Sequence, residues 1–234
     1  MSSPELALDD LMRADLGDAA TLVDFPFEVG SDRWLAAWAL LCRVSMRTAN
    51  GPDRRYFPRS CVAATRIGIE TARYFGVPVE PLPVWGFAMT RDAYDWHLAH
   101  GLGEPSPVGW SVSVGGEGTG EVERRVGRRF YDGHLICRLP GRARIADISI
   151  DQANRPDKGL HVPRPIVLEV PDDYFSEADP DRLAIFGSAL GGVIAYRALY
   201  GKAAQGWRAG DWHGSATQRA AIGEAIRLLR EVTR

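Results

Sequence analysis

Cys61 follows Pro58-Arg59-Ser60 at the start of a helical pattern, and His134 and Asp147 lie downstream on two consecutive strand patterns. A thiol, an imidazole and a carboxylate are the groups that covalent acyl transfer needs. The sulfur attacks a carbonyl carbon, the imidazole carries the proton, and the carboxylate fixes the imidazole's tautomer and orientation. The first turn of a helix suits the thiol, because free backbone N–H groups and the partial positive charge of the helix end are there to receive an oxyanion. The other two cysteines have simpler readings. Cys42 falls on the apolar stripe of an earlier helix, and Cys137 points away from the strand face that carries His134. Asp151, four residues beyond Asp147, is the alternative for the acidic role.

The elements that must position these groups are legible in outline. Trp34, Leu35, Trp38, Leu41 and Cys42 recur at the 3.6-residue period and predict a helix over 33–48, capped by Ser31 or Asp32. Ser60 is a good N-cap and Gly76 a natural terminator, so a second helix is expected over 61–75. Its Cys61, Ala64, Gly68, Ala72 and Phe75 share one mostly small face, which suits close packing on a sheet. Residues 77–90 carry Pro78, Pro81 and Pro83 and read as an edge-like strand, or as a loop leading into one. The glycine- and proline-rich stretch 97–127, with 110–114 as its strand candidate, reads as an insertion that covers a cleft. Strands follow over 134–139, 143–150 and 166–170, and 183–186 with 193–200 form a hairpin or, alternatively, a helix. Helical patterns over 6–16 and 215–232 lie outside this core. Together they predict one α+β domain over 1–234, with a catalytic-like core at about 31–170.

Hairpin register tests the chemistry. A two-residue turn at Pro140-Gly141 pairs Leu139 with Arg142, and a four-residue loop that sets Arg138 opposite Ala143 gives the same register. Either places His134 directly opposite Asp147, within the distance at which side chains on one face meet, so that the carboxylate holds the ring by Nδ1. A three-residue loop places Ile148 there instead.

Composition narrows the class. Charged residues are 25% of the 234, net charge is −2, and the arginine pairs have acidic neighbours, so no nucleic-acid partner or anionic membrane surface is expected. No apolar run approaches the roughly 18–20 residues of a spanning helix. The acidic N-terminal stretch is unlike a secretory signal, and three cysteines do not make a disulfide framework, so a reduced cytoplasmic setting is expected. His97 and His100 are the one close histidine pair, and they lack the companions of a metal motif. No metal and no organic cofactor is expected.

Ser60-Cys61 opening a helix, Gly133-His134-Leu135 starting a strand, and Ala146-Asp147-Ile148-Ser149-Ile150-Asp151-Gln152 ending the next together resemble the transglutaminase-like branch of the papain-like cysteine enzymes. The likeness covers roughly residues 55–155. The stretch from Asn154-Arg155-Pro156 to Val162-Pro163 is similar to that of uncharacterised bacterial proteins of this architecture. The resemblance implies a papain-like core, with the nucleophile helix packed on an antiparallel sheet and extra N- and C-terminal helices. It implies catalytic roles for Cys61, His134 and Asp147. It also implies an amide or thioester hydrolase or acyltransferase acting on a peptide, protein or small acyl substrate. The alternative is a catalytically idle binding or assembly module of the same fold.

Overall fold

The computed structural model describes residues 26–50, 60–101, 105–115, 131, 133–162, 164–187, 191–208 and 215–233. The expected helix over 6–16 lies outside them, as does most of 97–127 beyond Gly115. Helix α1 (Asp32–Asn50) buries the stripe read from its period, with Trp34 and Trp38 stacked at 6.4 Å between ring centroids. Helix α2 (Ser60–Tyr74) begins at Ser60, one position earlier than the cap reading places it. Its small face lets α1 close in: Trp38 Nε1 donates to the Gly68 carbonyl at 3.0 Å, and a Cβ at Gly68 would collide with Ile148. The C-terminal helix, α4 (Ala216–Glu231), packs across α1 and α2, its first turn capped by the Ser215 side chain accepting from the Gln218 amide.

Among the described residues seven strands form one antiparallel sheet in the order β5-β4-β3-β1-β7-β6, with β2 also on β1. They are β1 (Glu80–Thr90), β2 (Ser111–Val114), β3 (His134–Leu139), β4 (Arg144–Asp147), β5 (Ile166–Glu169), β6 (Leu183–Gly187) and β7 (Gly192–Ala198). Cys137, Leu139 and Ala146 face the helices and join their core. Val84, Ile136, Ile145, Ile194 and Tyr196 build a second core with Ile150, Leu160 and Val162.

The stretch read as edge-like is the central strand. The Pro83 carbonyl accepts from Leu199 N at 2.9 Å, so odd-numbered residues of β1 turn toward the β7 side, and β7 pairs only from Val84 onward. Pro81 and Pro83 therefore lack an N–H where the ladder with β7 has not begun, while Glu80, Leu82 and Val84 serve β3. Helix α3 (Arg91–His100), not expected from the sequence, follows β1 directly, so the start of the expected insertion is helical and Ser111–Val114 is a member of the sheet. Among the described residues no helix is long and apolar enough to cross a membrane.

Candidate active site

Strands β2 and β3 lie end to end along the same side of β1: β2 pairs from Met89 to Gly86, β3 from Val84 to Glu80. Where one gives way to the other stands His134, with the backbone so close that a Cβ at Gly115 would lie 2.6 Å from His134 N. Gly115 has φ +88°, a conformation that glycine alone adopts without strain.

The β3–β4 register differs from the expected one by two residues. Leu139 faces Arg144 across a four-residue turn, Arg138 faces Ile145 and Cys137 faces Ala146. Continued along the strands, this register sets Asp147 across from Ile136, leaving His134 as its diagonal neighbour. A shift of two preserves faces where a shift of one would invert them, so His134 and Asp147 remain on one side and join over the diagonal. His134 Nε2 lies 2.6 Å from Asp147 Oδ2. The ring is thus held by Nε2, not by Nδ1 as the direct pairing implied. Both residues are buried.

Asp147 is provided with donors. Its Oδ2 also accepts the Tyr196 hydroxyl at 2.8 Å, and its Oδ1 accepts Ser149 N at 3.0 Å and Ser149 Oγ at 3.3 Å. Burial alone would raise its carboxyl, yet His134 and these hydrogen bonds hold it below the usual range. His134 moves the other way. Burial opposes the charged ring, but the Asp147 carboxylate, with a contribution from Cys61, carries it up to about 10.

Cys61 approaches from α2 and is half-buried, near enough to the His134 ring to help raise it. With Nε2 engaged by Asp147, Nδ1 is the nitrogen left to face the sulfur. One turn further along α2, Thr65 Oγ1 donates to the Leu135 carbonyl at 2.7 Å, pinning this helix to the residue after His134. Cys61 and Tyr131 pack against buried Val62, Leu135 and Trp207.

Asp151 does not reach the imidazole. The strand expected to run to Ile150 ends at Asp147 and gives way to a 3-10 turn, Ile150–Ala153. Asp151 points to α1, where it meets Arg43 Nε at 2.9 Å and also Arg47. Burial raises its carboxyl and the two arginines oppose that shift. Cys42 and Cys137 are fully buried, and burial pushes the Cys42 thiol up to about 12. His97 Nδ1 lies 3.0 Å from the Gly101 carbonyl and His100 Nδ1 2.9 Å from the Trp96 carbonyl, so each ring serves its own helix end. No group of three or more His, Cys, Asp or Glu able to hold a metal occurs among the described residues.

Sequence reasoning missed Tyr196, Ser149, Thr65 and Tyr131. An Asp-x-Ser spacing is the signal of an Asx turn and points to Ser149; Tyr196 carries no such local signal. Compared with protein-family models, curated proteins and solved structures, the chain matches none.

Proposed function

We propose that the chain is a cysteine hydrolase or acyltransferase of amides or thioesters, working through an acyl-enzyme on Cys61, with His134 as acid–base and Asp147 as orienter. The observation that carries the reading is the His134 ring bonded to a buried carboxylate that Tyr196 and Ser149 fix, with Cys61 near enough to act on that ring. A helix bearing the thiol on an antiparallel sheet bearing the other two agrees with a papain-like, transglutaminase-like core.

In this reading the proton given up by the thiol already rests on His134, held there by Asp147, and the sulfur bonds to the substrate's carbonyl carbon. The carbonyl electrons move onto oxygen, near the backbone amides of the first turn of α2. When they return, the bond to the amine or thiol leaving group breaks, and the His134 proton goes to that group. Water or an amine then gives its proton to His134 and attacks the thioester, restoring the sulfur. Asp147 keeps the imidazolium aligned throughout. Peptides, proteins or small acyl compounds are the substrate class, and a reduced cytoplasmic setting suits the free thiol.

Iodoacetamide labelling with peptide mapping tests this reading. At neutral pH Cys61 should label first, ahead of buried Cys42 and Cys137. His134→Gln, which keeps an N–H donor near the position of Nε2 but no base, should slow Cys61 by at least about tenfold. Equal, sluggish labelling of all three cysteines, indifferent to that substitution, favours the idle binding module instead.

A further inference from the structure

Tyr131 packs on the same buried cluster as Cys61 and has no role in the steps above. Its ring and Cys61 are both half-buried, and both pack on buried Val62, Leu135 and Trp207. The phenol oxygen is seated over Gly133, where any Cβ would collide with it. A residue with a side chain at that position would displace the phenol from the thiol's surroundings. Among the described residues the hydroxyl's acceptor is the His134 carbonyl, at 3.4 Å. That is long beside the roughly 2.7–2.8 Å of a good O–H···O bond, so the hydrogen is free to turn to a stronger acceptor. Burial first, then the charge of Cys61, hold the phenol protonated far above its ordinary range, which keeps it a donor at any working pH.

We propose that Tyr131 is a further catalytic residue, whose phenol donates a hydrogen bond to the carbonyl oxygen of the acyl group under attack at Cys61. The proposal rests on the acyl-enzyme reading given above. As the C–S bond forms, the carbonyl electron pair settles on oxygen, and the phenol hydrogen turns from the His134 carbonyl to that oxyanion without leaving the phenol. As the leaving-group bond breaks, the electrons return and the phenol turns back. The first-turn amides of α2 supply the complementary donors, one set from the helix and one from the segment that enters β3.

The test compares two reactions of one sulfur in the full chain. Acylation by p-nitrophenyl acetate passes through an oxyanion, whereas alkylation by iodoacetamide at a saturated carbon does not. For Tyr131→Phe the nitrophenolate burst should slow by about a hundredfold, while the alkylation rate of Cys61 stays within about twofold of wild type. Circular dichroism checks that the variant is folded. A wild-type burst that Cys61→Ala abolishes and Tyr131→Phe leaves unchanged overturns the phenol's role alone. Equal losses in both reactions also overturn it, since the phenol would then be supporting the thiol or the fold. Absence of any Cys61-dependent burst in wild type removes acyl transfer itself, and this proposal with it.

Discussion

Tyr196 donates to Asp147 Oδ2 at 2.8 Å, onto the same oxygen that binds Nε2 of His134. A carboxylate this deeply buried keeps its charge because donors surround it. Gly86 of β1 lies between Val114 and the phenol ring: a Cβ there would stand 2.5 Å from Val114 Cγ2 and 3.2 Å from the Tyr196 ring. Tyr196→Phe removes the hydroxyl and leaves the ring. Hydrogen bonds to charged groups contribute about 1.5–3 kcal/mol, and that loss is expected as a lower urea midpoint at unchanged slope. Iodoacetamide labelling of Cys61 should slow as well, because Asp147 then orients His134 less firmly. A midpoint equal to wild type would show the hydroxyl to be energetically idle.

The pair His134–Asp147 also sets a dependence of stability on pH. His134 rises on folding from 6.5 to about 10, so its contribution is full below 6.5 and is lost as pH climbs through about 10. Asp147 falls below its ordinary 3.8, so its contribution is present above 3.8 and is lost as pH drops through the folded value. The two overlap fully between 3.8 and 6.5. The difference in unfolding free energy between wild type and His134→Gln, measured by urea titration, should therefore shrink from pH 6.5 toward 10. A flat difference across that range would mean that His134 is neutral in the folded protein.

These residues also show what one sequence can disclose. The helices α1, α2 and α4 were legible because their apolar period and caps are local signals. The alternation of β3 and β4 assigned His134 and Asp147 to one face, and that survived a two-residue error in register because side-chain parity did. The turn itself was misread: Arg142 and Ala143 belong to it, and Ala143 takes a φ of 50°, which few residues other than glycine adopt. Central β1 was hidden by prolines whose harmlessness depends on where β7 stops, a non-local fact. Tyr196 was invisible for the same reason, since only the pairing of β7 with β1 brings it to Asp147. Helix α3 has a weaker apolar period than its neighbours and a β-branched strand end before it.

Arg43 and Arg47 sit one turn apart on α1 and both meet Asp151, yet their side chains are 10% and 61% exposed. Removing the buried partner leaves a buried carboxylate short of charge, which costs about 3–5 kcal/mol. Removing the exposed one should cost under about 1 kcal/mol, as for surface pairs generally. Arg43→Met is thus expected to lower the thermal midpoint by many degrees and Arg47→Met hardly at all. Equal effects would show that Asp151 is solvated rather than sealed against α1.

Thr65 supplies a bond that the sheet itself does not. Odd-numbered residues of β3 turn their backbone groups toward β4, and the β4 ladder is paired only from Cys137 onward, leaving Leu135 beyond its reach. The Leu135 carbonyl takes the Thr65 hydroxyl instead, at 2.7 Å, and so ties the second turn of α2 to the strand position next to His134. Thr65→Val keeps the side chain's shape and strands a buried acceptor, at a cost of about 1–3 kcal/mol. Its second consequence separates site from fold. With the tie cut, α2 can shift relative to β3, and the thiol loses its fixed approach to the ring. Cys61 alkylation should then fall by more than in a control variant of matched stability, Leu228→Ala in the α4 core. Matching rates in the two variants would mean that Thr65 holds the core together and does not set the distance between Cys61 and His134.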